Sequence, residues 1–278
     1  MPGSDPYLIN PTSGWCHDLP GPCEPPDLRL IQRGIGNAIN QVDSHYLEIP
    51  SPSLVARGLL IWVALLGFPV VGVALWFLAT LLVSPTAASL SDLAILLGTG
   101  IGVTWFSIYT IRLDLLLPRD EPIRFNRSRQ KVYIYHFRYS WLRPLSKSEW
   151  RVEVSVHNWE ELWLEACKAY GSIEYGGLIQ RVQLSVQQNR MSEKHYSRIF
   201  SHSIQTGEEY WAMIRLFMQQ GLHALPPFQN PPQPREDEEM FYNIFWDYAP
   251  RVVWPADIDL ESRTAANHGN SLPSDQSG

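Results

Sequence analysis

The chain has 278 residues, of which 45 % are hydrophobic, and a formal net charge of −6 at pH 7. This length leaves room for one soluble domain of ordinary size beside any membrane segment. Three cysteines (Cys16, Cys23 and Cys167) are too few for a disulfide framework, and their odd number suits a reducing compartment.

The chain begins with a Pro/Gly-rich region, residues 1–53. Its first half, residues 1–27, is dense in Pro and Gly, which predicts an irregular backbone. Asp27 is placed to cap a short helix with apolar residues at mixed three-to-four spacing. Those residues are Leu28, Leu30, Ile31, Ile35 and Ile39. We expect this helix to pack on the soluble domain; a position on the membrane face is the alternative.

Two long uncharged segments dominate residues 54–117. The first runs from Gly58 to Val83 and the second from Leu93 to Ile111. As helices they would measure about 39 and 28 Å, against a hydrocarbon core of about 30 Å. The mean hydropathy of the whole chain, −0.15, hides them because the remainder is polar. The sequence therefore predicts a transmembrane helical hairpin.

Small residues within the second segment suggest how the hairpin packs. Gly98 and Gly102 are four residues apart, a spacing that lets another helix approach closely. We expect the first span to be that partner, with homodimerisation as the alternative. Between Gly58 and Ile111 the single ionisable residue is Asp92, at the edge of its span. Pumps and transporters need charges within the membrane, so the hairpin is predicted to be an anchor.

The distribution of charge predicts the orientation of the hairpin. Residues 112–151 contain ten Lys and Arg against four acids, whereas the loop 84–92 contains no Lys or Arg. Positive residues close to a span remain in the cytoplasm. Both termini are therefore predicted to be cytoplasmic. Residues 152–278 have nine Lys and Arg against seventeen acids, a net charge of −8.

Residues 118–228 are predicted to form a cytoplasmic α+β domain. β-branched and aromatic alternation predicts strands at 131–137 and 150–156, the first preceded by a hairpin turn at 126–129. We expect a helix after Asn158, a strand at 178–188 and a weaker strand or loop at 197–204. Thr206 and Glu209 form a capping-box pattern for a last helix that ends at Gly221. This small, mostly antiparallel sheet with a C-terminal helix is similar in element order to the pleckstrin-homology-like domains that follow membrane hairpins in bacteria.

The last region, 229–278, is Pro-rich and acidic and then becomes polar. Its aromatic cluster, residues 240–254, is predicted to fold back as a terminal helix, with a docking segment as the alternative. From about Ser262 onward the composition predicts disorder.

The sequence contains no pattern typical of catalysis. Nucleotide loops, HExxH, GxSxG and kinase signatures are absent, so we expect no enzyme, cofactor or metal site. The candidate contact residues are a basic cluster among aromatic side chains: Arg124, Arg127, Arg129 and Lys131. Beside a membrane span, this composition favours anionic headgroups or a partner over single-stranded nucleic acid. A role in setting topology alone is the simplest alternative.

Three segments resemble an uncharacterised family of proteobacterial two-span membrane proteins. They are PIRFNRSRQKVY (122–133), VEVSVHNWEELWLEA (152–166) and EEYWAMIRLFMQQGLHALP (208–226). The resemblance implies the bacterial inner membrane and an association with type VI secretion effectors. We therefore expect an immunity protein that binds a cognate secreted effector, with an effector-loading factor and a lipid-binding scaffold as alternatives.

Overall fold

The computed structural model describes residues 6–8, 10–31, 36, 38–52, 59–83, 90–170, 177–187, 196–238 and 246–265. The strands are β1 (Trp15–Asp18), β2 (Gln41–Val42), β3 (Tyr46–Ile49), β4 (Ile123–Asn126), β5 (Lys131–Arg138), β6 (Arg151–Asn158), β7 (Leu162–Tyr170), β8 (Leu178–Val186) and β9 (Tyr196–Ser201). The helices are α1 (Leu59–Val83), α2 (Leu90–Leu116), α3 (Ile204–Gln220) and α4 (Ala256–Arg263). This confirms an α+β fold in which a helix pair comes before most of the strands and the other helices follow them.

The strands form two antiparallel sheets. The five-stranded sheet has the order β2-β3-β4-β5-β6, and the four-stranded sheet has the order β1-β7-β8-β9. The strands predicted at 131–137, 150–156 and 178–188 are confirmed as β5, β6 and β8. Strands from residues 1–53 pair with strands from 118–228, so both sheets extend beyond the predicted limits of the soluble domain.

The helix pair is inserted between two neighbouring strands. β3 precedes α1 and β4 follows α2, yet these strands pair directly, with Ile49 opposite Ile123 and Tyr46 opposite Asn126. α1 and α2 therefore occupy the connection of an antiparallel strand pair. The two ends of this connection lie side by side in the sheet.

The two faces of the five-stranded sheet bury different side chains. One face joins the main apolar core, which also contains residues of β7, β8, β9 and α3. Its residues from β3, β4 and β5 are Leu47, Ile49, Ile123, Phe125, Val132 and Ile134. The opposite face carries Tyr46, Glu48, Arg124, Asn126, Tyr133 and Tyr135, all buried. Residues 246–265, which we call the C-terminal cover, pack on this second face through Trp254 and Ile258.

The helix predicted after Asn158 is wrong. A 3-10 turn at Trp159–Glu161 leads directly into β7, and the Asn158 side chain makes no capping bond. Leu162, Leu164 and Ala166 alternate into the core, and β7 pairs with β1 on one side and β8 on the other. Pairing with β8 along its whole length and with β1 over part of it outweighs the local helix preference of this segment.

The predicted last helix is confirmed as α3, with a different first turn. Ser203, not Thr206, is the N-cap, since its hydroxyl accepts a hydrogen bond from Thr206 N at 3.4 Å. The helix ends at Gly221, whose φ of +93° favours glycine. Trp211, Ile214 and Phe217 are buried in the core, as the apolar stripe of this helix indicates.

The short helix predicted after Asp27 and the terminal helix predicted in the aromatic cluster 240–254 are only partly helical. Asp27 caps a single 3-10 turn at Leu28–Leu30, and residues 32–35 and 37 lie outside the described residues. Of the aromatic cluster, residues 240–245 also lie outside them. The disorder predicted from Ser262 is wrong at its start, because Ser262 is fully buried at the end of α4.

α1 and α2 are long and apolar enough to cross a membrane, over Leu60–Thr80 and Leu93–Leu116, and most of their side chains are exposed. The helices approach closely at Gly67, where an added Cβ would lie 2.9 Å from Ser107 Oγ and 3.1 Å from Val103. The packing role predicted for Gly98 and Gly102 is therefore wrong within this chain. An added Cβ at either glycine would meet nothing within 4 Å.

Candidate functional site

The basic cluster predicted from the sequence lies at the β4–β5 hairpin, on the side covered by the C-terminal segment. Arg124 belongs to β4, Arg127 and Arg129 to the turn that follows, and Lys131 to the start of β5. The structure therefore brings the four residues together. It does not leave them as an open basic surface.

Arg124 is a buried residue, which corrects its predicted position at a membrane or partner surface. Its side chain is 1 % exposed and forms ion pairs with Glu48 at 2.7 Å and Asp259 at 2.9 Å. The guanidinium also stacks over Trp254 with its carbon 4.3 Å from the ring centre. Arg124 thus joins β3, β4 and the C-terminal cover, and its donors are directed into the protein.

Arg129 and Lys131 also bind the C-terminal cover. Arg129 Nε donates to Thr264 O at 3.0 Å, and one of its terminal nitrogens donates to Ala265 O at 3.0 Å. Lys131 Nζ lies 2.9 Å from Glu261 Oε1, which also accepts a hydrogen bond from the Tyr133 hydroxyl at 3.0 Å. The hydrogen bond from Lys131 lowers the pKa of Glu261. These contacts make the cluster an intramolecular binding site for an acidic segment.

Arg127 has a different neighbour, the end of α3. An added Cβ at Gly221 would lie 3.3 Å from a guanidinium nitrogen of Arg127, so glycine leaves the room that this side chain occupies. Arg127 is partly exposed. It therefore lies beside the α3 terminus while the other three cations hold the cover.

A small polar cavity lies beneath the cover. Its volume is about 60 Å³, and its lining includes Asn40, Glu48, Asp120, Arg124 and Trp254. Burial raises the pKa of Asp120, against the opposing effect of three hydrogen bonds from Asn40 Nδ2, Ser51 N and Glu121 N at 2.8–2.9 Å. Such a shift is typical of functional and of structural carboxyls. Here the bonding partners of Asp120 make it a structural link.

That link belongs to a set of contacts that we call the neck, where the chain enters and leaves the helix pair. Asp120 binds the backbone of Ser51, so one carboxyl connects the two ends of the inserted segment. Arg198 of β9 donates to Ser51 Oγ at 2.7 Å and to Glu121 O at 2.9 Å. The neck therefore ties the helix pair to both sheets.

Glu121 is the second carboxyl of the neck, and its neighbours stabilise its charged form. Burial would raise the pKa of Glu121, but a hydrogen bond from His136, the charge of Arg198 and the backbone N–H of Phe137 outweigh it and lower the pKa. A further contact of the neck joins the two helices to each other: Asp114, near the end of α2, accepts a hydrogen bond from Ile61 N, near the start of α1, at 2.9 Å. A carboxylate at the first turn of α1 also complements the helix dipole.

Sequence reasoning missed the neck residues Asp120, Arg198 and Asp114. Asp114 and Asp120 could have been noticed as two of the four acids in the otherwise basic segment 112–151. Arg198 carries no such signal, because it lies in β9, far along the chain from the helices it holds.

Within the described residues, no group of three or more His, Cys, Asp or Glu side chains is arranged to hold a metal ion. Cys16 and Cys23 are exposed free thiols, and Cys167 is a buried one. The ionisable groups described above bind one another or the backbone. This arrangement supplies mechanical connection between segments of the chain.

Residues 101–266 match a family of unknown function, DUF6708. The chain belongs to this family. The matched range begins within α2 and includes the basic cluster and the C-terminal cover, so it contains most of the elements described above. Membership of an uncharacterised family is thereby confirmed. No curated protein and no solved structure matches the chain.

Proposed function

We propose that this protein is a membrane-anchored, non-enzymatic binding protein whose soluble domain captures a protein partner beside the bacterial inner membrane. The observation that carries the proposal is the insertion of the two apolar helices between β3 and β4. A helix pair with mostly exposed apolar side chains needs an apolar environment. Its connection to both sheets through the neck would hold the domain at a fixed distance from the bilayer.

The same insertion supports an orientation with both ends of the chain in the cytoplasm. β3 and β4 are neighbours in one sheet, so the segments before and after the helix pair must lie on the same side of a membrane. The net charge of +6 over residues 112–151 favours the cytoplasmic side.

The open edge of the five-stranded sheet is our candidate surface for the partner. β6 is its outer strand in the part of the chain that the structure describes, and Val156 is 40 % exposed. Trp159 N donates to Gln130 O, and in an antiparallel pair every second residue bonds the neighbouring strand. The odd-numbered residues of β6 therefore bond β5, and the backbone N–H and C=O groups of Val152, Val154 and Val156 point away from it. An extended segment of a partner can pair with such an edge.

We further propose that the partner is a toxic type VI secretion effector and that the protein confers immunity. The family resemblance of the three segments 122–133, 152–166 and 208–226 supports this identity. The excess of acids over residues 152–278 favours a basic partner, since complementary charge speeds capture. The arrangement of two antiparallel sheets closed by α3 supports a pleckstrin-homology-like domain, a scaffold that offers such edges.

The test is a competition between a strain that lacks this gene and its parent. Immunity predicts that the parent kills the deletion strain on contact and that the full-length chain restores survival. Val156→Lys should abolish rescue, because a lysine on an edge strand opposes pairing. Val253→Lys, at a residue 71 % exposed in the cover, is the matched control and should rescue fully.

Two other outcomes would replace the immunity proposal. If the deletion strain survives contact but no longer secretes an effector, the protein acts as a loading factor. If it survives and secretes normally, the proposed partner class is wrong.

A further inference from the structure

The loop between β5 and β6, residues 139–150, exposes an apolar surface of its own. We call it the β5–β6 loop. Trp141 and Leu142 are each 64 % exposed and Leu145 is 66 % exposed. Three large apolar side chains within five positions of one loop are unusual on a surface that faces water.

The β5–β6 loop is docked along α2. Trp105 Nε1 donates to Trp141 O at 3.2 Å, and Arg112 donates to Pro144 O. The guanidinium carbon of Arg112 lies 4.9 Å from the centre of the Trp150 ring. Trp150 also packs with Leu113 of α2 and with Leu117, the residue after its end. The loop is therefore held against one side of the helix by several independent contacts.

These contacts place the loop beside the apolar part of α2. Trp105 lies seven positions before Arg112, the first cation after the uncharged segment. At ~1.5 Å per residue, the two positions are about 10 Å apart along the helix axis. The polar region on each side of a bilayer is only about 5–8 Å thick. A loop that reaches Trp105 therefore extends past the headgroups when Arg112 lies among them.

The charges around the loop suit an anionic surface. Arg143, Lys147, Arg138 and Arg151 are exposed, and the side chain of Arg143 is 73 % exposed. Two acids face them: Glu149 pairs with Arg143 at 2.7 Å, and Glu153 pairs with Arg151 at 2.9 Å. The segment 138–151 thus keeps an excess of positive charge beside its apolar tip.

We propose that the β5–β6 loop is a third membrane contact, which inserts Trp141, Leu142 and Leu145 at the boundary between headgroups and acyl chains. Arg143 and Lys147 then contact anionic headgroups. Tryptophan and cations are the residues that proteins place at this depth. The inference rests on the membrane insertion of α1 and α2 proposed above, because the loop continues their exposed apolar surface.

With this contact, the domain would be held at the membrane in two places, the neck and the β5–β6 loop. The sequence predicted headgroup binding at the cluster around Arg124, which is buried; the proposal assigns that binding to a different basic segment. Each cation near an anionic surface adds to the attraction, while the apolar tip supplies affinity that salt does not remove.

The test measures the depth of single labelled positions in the full-length protein reconstituted into vesicles. A polarity-sensitive fluorophore is attached to Leu142→Cys in a background with Cys16→Ser and Cys23→Ser. Cys167 is buried and stays in place, and the parent without an added cysteine gives its background. Lipids carrying a spin label near the headgroup or deep in the acyl chain quench according to depth. The vesicles contain phosphatidylcholine with or without phosphatidylglycerol.

Two control positions make the result specific. Ser128→Cys lies in the turn at the opposite end of β5, about 23 Å along the strand from the loop. Val73→Cys, at an exposed position of α1 six residues beyond Gly67, reports on the helix pair itself. We expect several-fold stronger quenching by the shallow label at Leu142→Cys than at Ser128→Cys, increased by phosphatidylglycerol. Val73→Cys should be quenched best by the deep label.

The outcomes separate the two proposals. Deep quenching at Val73→Cys with none at Leu142→Cys overturns the loop contact and leaves the anchor standing. No quenching at either position overturns both. Equal quenching at Leu142→Cys with and without phosphatidylglycerol overturns the role of Arg143 and Lys147 alone.

Discussion

The two faces of the five-stranded sheet are equally buried but are held by different forces. One face packs Leu47, Phe125 and Ile134 into the main apolar core, where burial itself supplies the stabilisation. The other presents Arg124 with its partner Glu48, and it is buried only because the C-terminal cover lies over it. The comparison teaches that alternation along a strand predicts which side chains share a face. It does not predict whether a polar face is covered.

The largest effect is expected on the apolar face. Phe125→Ala removes a fully buried ring that packs edge-on against Trp159, with ring centres 6.1 Å apart. Such truncations reduce the free energy of unfolding by about 3–5 kcal/mol. Denaturant unfolding of the full-length protein in detergent measures the loss. Leu178→Ala, at an exposed site, is the control and should change the unfolding free energy little.

A slightly smaller loss is expected at Arg124, for an electrostatic reason. Arg124→Met leaves Glu48 buried without its cation and should reduce the free energy of unfolding by about 3 kcal/mol. The double variant Arg124→Met/Glu48→Met removes both charges and should recover part of that loss. Phe125→Ala has no such rescue. If the double variant loses the sum of the two single losses, the polar face is not held by charge pairing.

The third prediction concerns the cover itself. Trp254→Ala removes the ring that contacts Arg124 and lies edge-on to Tyr135, with ring centres 5.3 Å apart. We expect a loss of about 2 kcal/mol, because Trp254 lies at the edge of the buried region. Hydrogen exchange should increase at α4 and leave the α3 core protected. Increased exchange at both places would mean that the two faces are not independent.

The smallest effect is expected at the edge of the cover. Glu261→Gln weakens the ion pair with Lys131, which is partly exposed and screened by solvent, by about 0.5 kcal/mol. The pKa of Glu261 is lowered in the folded protein, so its contribution is present above about pH 4.3 and is lost as the pH falls. Acidification should therefore lower the protection of α4 amides in the wild type, measured relative to their intrinsic exchange rate at each pH. In Glu261→Gln this pH dependence should be smaller but not absent, because the ion pairs of Asp259 with Arg124 and Arg263 remain.

The sequence predicted the elements whose pattern is local. The apolar segments of α1 and α2, the alternation in β5 and the stripe of α3 each show their structure within a few turns or residues. β7 was missed because its helix-like pattern is overruled by pairing with β1 and β8, which are distant along the chain. The four residues of the basic cluster were predicted, but the burial of Arg124 was missed for the same reason: it depends on a segment more than a hundred positions later that folds over it.

The insertion of the helix pair between β3 and β4 also has a consequence for biogenesis. During synthesis, the segment that contains β3 leaves the ribosome well before β4, and α1 and α2 emerge in between. In the proposed membrane arrangement, β3 therefore has only the short strand β2 beside it until the apolar hairpin has been inserted and β4 follows. Nascent chains that stall at this step would keep the β4-facing edge of β3 open, and an open strand edge favours aggregation. In that arrangement, insertion of the hairpin comes before completion of the five-stranded sheet.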